Sequence, residues 1–428
     1  MKQYSAMTGR LAVNFFALPF CRYRLFLVTI IGLLLPGIKG SAQTRRYVDS
    51  ANTSGTYNGV AWATAYNKLE TAITAAVAGD TIWVAQGTYQ PSAYTSYVMK
   101  NGVAIYGGFA NTDTSFHQRG WTTHKTILRG NNARVFYNYF SSASRLLASA
   151  VLDGFTITNG TTNSYGGGMY NYYASPTLSN IIFLNNSCTA SGFAVGGAIY
   201  NANATSSYTN ITFDGNRAVS TGGQSQGGAI FNSGSTLTMT NVVFLGNRSE
   251  SGSGSGCYSM GGALYNASST VITFNKVVFS RNGCICLNPQ ARTYGGAIYN
   301  SGAVATPHLF TNVVFNENFS TWGSVFYNEP GSRNTMVNTT FTNNTGTPSY
   351  YTIYETSSTL KLANCIFYKT PSILASSPVA YTAHNCYSTY SLTGTTAASG
   401  NIISSVSPFM NPNNAEGADG SWLTADDG

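Results

Sequence analysis

Along the middle of the chain, apolar and polar positions alternate in short runs, and the same run keeps returning. One form reads Asn, apolar, variable, Phe, with a further Asn three positions on: Asn180-Ile181-Ile182-Phe183 with Asn186, Asn210-Ile211-Thr212-Phe213 with Asn216, and Asn241-Val242-Val243-Phe244 with Asn247. It recurs at Phe279, Phe315 and Phe341, where Asn282, Asn318 and Asn344 hold the last place. A degenerate copy, Asn364-Cys365-Ile366-Phe367, lacks that Asn, and an early one, Gly154-Phe155-Thr156-Ile157, carries Asn159. Ile181 and Phe183 share one face of an extended chain while Ile182 takes the other, a period of two that predicts strands. Val, Ile, Thr and Phe favour that state, and no helical period runs through these segments.

A second run lies between the first. Gly167-Gly168-Met169-Tyr170-Asn171 and Gly196-Gly197-Ala198-Ile199-Tyr200-Asn201 are followed by copies beginning at Gly227, Gly261 and Gly295, at steps of 29, 31, 34 and 34 residues. Such steps fit a solenoid whose insertions fall in loops, and the Gly pairs supply tight corners. Motifs repeat in the same direction, which predicts parallel pairing rather than an antiparallel meander. The leucine-rich and propeller alternatives lack their consensus here.

Side chains recurring once per coil would stack at about 4.8 Å. Phe183, Phe213, Phe244, Phe279, Phe315 and Phe341 then form an internal aromatic ladder. Asn186, Asn216, Asn247, Asn282, Asn318 and Asn344 form an amide ladder, for which Asn is suited because an amide both donates and accepts, whereas stacked carboxylates would repel. The predicted fold is all-β: a right-handed, single-stranded parallel β-helix with a short N-terminal capping helix. That cap covers an otherwise open strand edge. It is expected over Trp62–Ala76, where Trp62, Tyr66, Leu69, Ile73 and Ala76 keep helical spacing; Gly79 ends it and Thr81-Ile82-Trp83-Val84 reads as the first strand.

The N-terminus changes the picture. Lys2, Arg10, Arg22 and Arg24 precede the uncharged apolar run Leu25–Leu35, and Gly40 and Ala42 hold small positions before Gln43. Eleven residues do not span an apolar layer of about 30 Å as a helix, so residues 1–42 read as a secretory signal and no transmembrane segment is expected in the mature chain. Without them 17 basic residues face 14 acids, a formal charge of +3, and no Lys/Arg block remains for nucleic acid. Charged residues are 8% of the chain against roughly 25% in ordinary domains, while aromatics reach 13%, enough for a long core and against disorder. The expected division is 43–88 as N-terminal cap and first strand, 89–410 as the β-helix, and 411–428 as an acidic, loop-like tail read as a truncated end.

The GGA-aliphatic and Phe-x-x-Asn strings, such as Gly196-Gly197-Ala198-Ile199 with Phe213-Asp214-Gly215-Asn216, resemble the polymorphic outer-membrane protein repeat over about residues 150 to 345. WATAYNKLETAI followed by AGDTIWVAQGTY looks like the N-terminal cap of secreted β-helix proteins of the pectin-lyase-like superfamily. The first resemblance implies a surface-exposed adhesin or passenger. It departs at the C-terminus, where no transporter barrel or sorting domain follows.

Chemistry is sparse. Hydrolysis of a polysaccharide would need a carboxylate pair, and elimination a bound Ca²⁺ with a base. The acids of the coils, Asp153, Asp214, Glu250, Glu317, Glu329 and Glu355, stand singly. His117, His124, His308 and His384 lack ligand spacing and are expected at the surface. Asp419, Asp426 and Asp427 are the only Ca²⁺ candidates, without a complete ligand loop, and no other cofactor is expected. Six cysteines remain after Cys21, and export permits pairing. Cys365 and Cys386 fall in the same slot of successive coils, as a disulfide or as stacked thiols, and Cys257 lies one coil before Cys284 and Cys286, where a Cys257–Cys284 loop staple is a further candidate, with Cys188 left over.

The row Tyr170, Tyr200, Phe231, Tyr265 and Tyr299 offers a surface for sugar rings or protein if it faces solvent, and a second internal ladder if it does not. The expectation is a monomeric, non-enzymatic cell-surface or secreted β-helix, adhesin-like or purely structural, with a surface glycan or a host or neighbour-cell protein as partner. The alternative is a polysaccharide lyase or glycoside hydrolase of the same architecture.

Overall fold

The computed structural model describes residues 43–254, 256–267, 270–346, 351–371, 380–389, 397–409 and 423. The predicted leader and most of the acidic tail lie outside them. A representative coil runs through four straight segments, Ile199–Ala202, Thr205–Asp214, Arg217–Ser220 and Gln224–Gln226. Each pairs in parallel with its counterpart one coil on, Ile230–Ser233, Thr236–Leu245, Arg248–Ser251 and Tyr258–Met260. Repetition builds sheets of 18, 8, 5 and 4 strands among the described residues. This is a right-handed parallel β-helix.

Alternation decides what enters the core. In Thr236–Leu245, Leu237, Met239, Val242 and Phe244 are buried while Thr236 and Thr238 face solvent. The phase slips by one residue at Asn241, whose φ of 58° puts it in the left-handed region. Asn180, Asn210, Asn312, Asn338 and Asn364 take the same conformation in their coils, which Asn tolerates better than most residues. That accounts for the first Asn of the motif. Outside the coil these amides also join, Asn210 Nδ2 to Asn180 Oδ1 at 3.1 Å and Asn241 Nδ2 to Asn210 Oδ1 at 2.6 Å. Lys276 breaks the row, and the residue before it, Asn275, supplies the acceptor for Asn312 instead.

Inside, Phe183, Phe213, Phe244, Phe279, Phe315, Phe341 and Phe367 stack with centroids 4.5–5.1 Å apart and planes within 16°. The buried corner amides run Asn186, Asn216, Asn247, Asn282, Asn318, Asn344, each Nδ2 donating to the next Oδ1 at 2.9–3.0 Å. Each Oδ1 also accepts the backbone N–H of the preceding Asn, as Asn247 does from Asn216 at 3.0 Å. Amide donors and acceptors are therefore all used, which is what makes a polar column tolerable in an apolar core.

Three expectations are corrected. The capping helix spans only Leu69–Ala75, with a single 3-10 turn at Trp62–Thr64. Tyr66 is drawn out of helical conformation because its backbone bonds to the first strand, Tyr66 N–H to Tyr47 O at 2.9 Å and Asp49 N–H to Tyr66 O at 2.8 Å. The first described strand is accordingly Arg45–Val48, which pairs with Thr81–Ala85. The first step between Gly motifs is 30 residues, since Met169 pairs with Ile199, not 29. The first glycine of a pair, as at Gly196 with φ 65°, makes the corner; a Cβ on the second, Gly197, would lie 2.1 Å from Gly228 O.

The corner before the buried Asn is strained at Arg281 and Glu317, which hold φ 57° and 54° where the equivalent residues of earlier coils are Gly215 and Gly246 at 61°. Glu317→Gly is expected to stabilise the protein by roughly 0.5–1 kcal/mol, the relief of left-handed strain less the added freedom of the unfolded glycine. Chemical denaturation of both proteins measures it, and a loss of stability would show that the Glu317 side chain contributes more than its backbone costs.

Candidate ligand-binding site

The carboxylates do not assemble. Asp153 takes the Arg119 guanidinium, Ser179 Oγ at 2.7 Å and Asn180 Nδ2 at 3.0 Å. Glu250 pairs with Arg217, and Glu329 accepts from Tyr299 and from Ser301 Oγ at 2.9 Å. Glu355 is wholly buried, accepting Asn328 Nδ2 at 2.7 Å and the Ser358 hydroxyl. Burial raises the Asp214 carboxyl above its ordinary range. Asp153, Glu250, Glu329 and Glu355 hold neighbouring coils together and no two of them share a hydrogen-bond partner, while Glu317 is exposed.

His308 corrects the surface expectation for the histidines. It is 1% exposed, its Nδ1 accepts the Ile272 N–H at 3.3 Å, and burial pushes its pKa down to about 4. A neutral imidazole fits the inward phase of its strand. His117 and His384 are exposed and His124 half-buried. Among the described residues no three His, Cys, Asp or Glu come together as a metal site, and Asp419, Asp426 and Asp427 lie outside those residues.

The six cysteines of the described residues stand unpaired in this structure. Cys284 is turned inward toward Tyr294 O at 3.3 Å, and it is Cys286 whose Sγ approaches Cys257, 3.8 Å from its carbonyl oxygen. The Cys257–Cys284 pairing is thereby corrected: Cys284 and Cys286 share one face of Gly283–Cys286 with Ile285 turned outward between them, and it is Cys286, two residues further along, that reaches the Cys257 loop. Cys188 shares a column with Cys284 but stands three coils away, about 14 Å at the strand spacing.

The tyrosine row faces outward, because Ile199 and Asn201 on either side of Tyr200 are buried. It is longer than the Gly motifs indicate: Tyr137, Tyr170, Tyr200, Phe231, Tyr265, Tyr299, Tyr327 and Tyr354 follow one another at 4.8–5.3 Å. Beyond Tyr170 the planes lie within 11° of parallel, so each ring covers the face of the next. Such a column shows edges to solvent, and Tyr265 and Tyr299 are only 9% and 5% exposed. Burial and the neighbouring phenols raise the Tyr200 pKa, so its hydroxyl stays neutral. The middle of the row is a seam that ties coils together rather than a platform for ligands.

Free aromatic surface is found at the N-terminal end of the row. Tyr94 is 78% exposed, Tyr139 60%, and Tyr137 and Tyr165 about 40%. Tyr94 stands at φ 62°, held there by its N–H to Asn131 O at 2.9 Å. A bulky residue in that region is strained, a feature that clusters at ligand sites. Tyr94 and Tyr137 line a groove of about 780 Å³ whose floor and walls come from Ser96, Asn132, Arg134, Thr161–Ser164, Ser187 and Thr189.

Arg134 is its one charged group. The guanidinium lies 5.0 Å from the Tyr137 ring centroid and 5.4 Å from that of Tyr170, and its Nη2 donates to Thr162 Oγ1 at 2.6 Å and Ser164 Oγ at 3.0 Å. Its buried Nε has no hydrogen-bond partner. Burial lowers the Arg134 pKa from its ordinary value, and the planar group is held by aromatic contact. The groove combines aromatic surface, a fixed cation and many hydroxyl and amide groups, and no Asp, Glu, His or Cys lines it.

Neither Arg134 nor Tyr137 stood out in the repeat, because the coil that carries them lacks the Gly pair. The signal was present as Phe136-Tyr137-Asn138, the same apolar-aromatic-Asn triplet as Met169-Tyr170-Asn171, and strand pairing joins the two. Tyr94 left no such trace, since a loop from an earlier coil brings it there.

No family model matches the chain, and no curated protein does. Solved structures give distant likenesses. A pectin methylesterase from Aspergillus niger in deglycosylated form is 12% identical, with 86% of this chain and 87% of that one covered and a TM-score of 0.34. A pectate lyase is 16% identical over 86% and 80%, with a TM-score of 0.33, and a rhamnogalacturonan lyase 13% identical over 90% and 96%, with 0.30.

Proposed function

We propose that this chain is exported, and that its β-helix acts at the cell surface or in the medium as an adhesin-like module that binds a glycan without cleaving it. The carrying observation is the groove at Tyr94, Tyr137 and Arg134, where exposed aromatic rings meet neutral polar groups and no carboxylate stands ready as acid or base. Sugars present apolar C–H faces ringed by hydroxyls, the complement of such a lining. Export rests on the basic, apolar and small-residue order of residues 1–42, and a surface role on the likeness of the GGA and Phe-x-x-Asn strings to polymorphic outer-membrane protein repeats. Asp153, Glu250, Glu329 and Glu355 are engaged in ion pairs or hydrogen bonds, which favours binding over the alternative of a lyase or hydrolase.

Retention on a panel of neutral and acidic immobilised glycans tests the reading. At least one glycan is expected to retain the protein, and Arg134→Ala and Tyr137→Ala to weaken its binding roughly tenfold or more, as for truncation of a central binding residue, with the β-sheet circular dichroism unchanged. New reducing ends or unsaturated products released from any glycan of the panel would replace this reading with the enzymatic one. Retention unaffected by both substitutions would remove the groove as the site.

A further inference from the structure

Two sulfurs near the C-terminal end of the described coils are arranged for a covalent bond. Strand Thr359–Ala363 pairs in parallel with Ala380–His384, and Ile366–Tyr368 with Tyr387–Ser388, so Asn364-Cys365 and Asn385-Cys386 fall opposite one another between the two ladders. The hydrogen bond from Tyr387 N–H to Cys365 O at 2.8 Å holds that register. Asn364 and Asn385 share the left-handed conformation, with φ of 53° and 52°, so the chain turns the same way into both cysteines. Both side chains face the core, with exposures of 0% and 1%. Neighbouring parallel strands place Cα atoms about 4.8 Å apart, inside the disulfide range of roughly 4.4–6.8 Å.

We propose that Cys365 and Cys386 form an inter-coil disulfide when the chain folds in an oxidising compartment, stapling one coil to the next. The register excludes the competing pairings within this core: Cys188 and Cys284 belong to another sheet, and Cys257 and Cys286 to the loop side of it. Once the two strands pair, a hydrogen bond from the Cys365 thiol lowers the pKa of Cys386, which favours Cys386 as the attacking thiolate before further coils cover the site. With glutathione disulfide as oxidant, Cys386 attacks one of its sulfurs and releases a glutathione thiol. Cys365 then attacks the mixed disulfide at the Cys386 sulfur and releases the second. One Sγ–Sγ bond forms, one S–S bond breaks, and the two protons and two electrons leave on the two glutathione molecules.

Burial sets the timing. A large oxidant has no route to sulfurs with no exposed surface, so the bond forms before the last coils close, and the folded, reduced protein oxidises slowly. The test is to unfold the full chain, refold it with a glutathione redox pair or with reductant, then block free thiols under denaturing, non-reducing conditions and map the peptides. A peptide joining Cys365 to Cys386, two hydrogens lighter than its parts, is expected from the oxidised sample alone. The oxidised protein is expected to melt roughly 5 °C above the reduced one, and Cys365→Ser and Cys386→Ser to melt with the reduced form. Free, blocked thiols at both positions in oxidised monomer, or either cysteine joined to a different one, overturns the proposal; the wild-type peptide map decides this even where a serine variant does not fold.

Discussion

Asn247→Asp is expected to destabilise the protein by about 4 kcal/mol or more, because a buried, hydrogen-bonded group is replaced by a charge facing acceptors. Asn247 Nδ2 donates to Phe213 O at 2.8 Å and to Asn282 Oδ1 at 2.9 Å, and neither oxygen has anything to offer a carboxylate. Its own Oδ1 accepts twice from Asn216, and those two bonds survive the change. The penalty is therefore that of removing two donors at a wholly buried site and placing like partial charges in contact. Asn241→Asp, on the half-exposed outer row of the same coil, changes the same atoms where water can replace the lost donor; about 1 kcal/mol or less is expected there. Urea unfolding midpoints of the two variants measure the contrast. Equal losses would mean that the inner column is hydrated and that its amide ladder is not the reason for Asn.

Raising the pH through 8 should weaken the fold, and Glu355 is the reason. Burial pushes its pKa from 4.5 up to about 8, with the Ser358 and Asn328 hydrogen bonds acting in the other direction. A group whose pKa is raised on folding contributes stability that is fully present below its unfolded value and is lost as pH rises through the folded one. The loss for Glu355 extends from about 4.5 to above 8 and amounts to roughly 5 kcal/mol. His308 has the opposite sign: its pKa is lowered from 6.5 to about 4, so its contribution is complete above 6.5 and disappears as pH falls through 4. The two slopes oppose each other between 4.5 and 6.5, and above 6.5 that of Glu355 stands alone. Glu355→Gln retains an acceptor for Asn328 and removes the titration, so the gap between variant and wild-type melting temperatures should widen from pH 6.5 to 9. Parallel curves over that range would show that Glu355 does not carry the proton.

Much of this molecule was legible in one dimension. The Phe and Asn spacings set the coil, the phase of its strands and the two internal columns, because in a solenoid each unit contacts its sequence neighbours and a repeat in sequence becomes a stack in space. The slots of Cys365 and Cys386 were legible for the same reason. What departs from the repeat was not. Tyr208 enters the core and takes the hydrogen bonds of Asn201, so the second amide row, Asn138-Asn171-Asn201, is diverted there and the side-chain amide of Asn232 is left without a partner. The capping helix lost its first turn to strand pairing at Tyr66.

The binding groove belongs to the same class. Tyr94 meets Arg134 and Tyr137 only after a loop of one coil folds against the strand of the next, and the exposure of a ring depends on which ring lies above it. By itself the sequence determined the period, the inward residues and the absence of a charge block for nucleic acid. Only the tertiary structure decided which tyrosines keep a free face and which acids are spent on partners, because those outcomes depend on lateral contacts between residues that share no periodic relation along the chain.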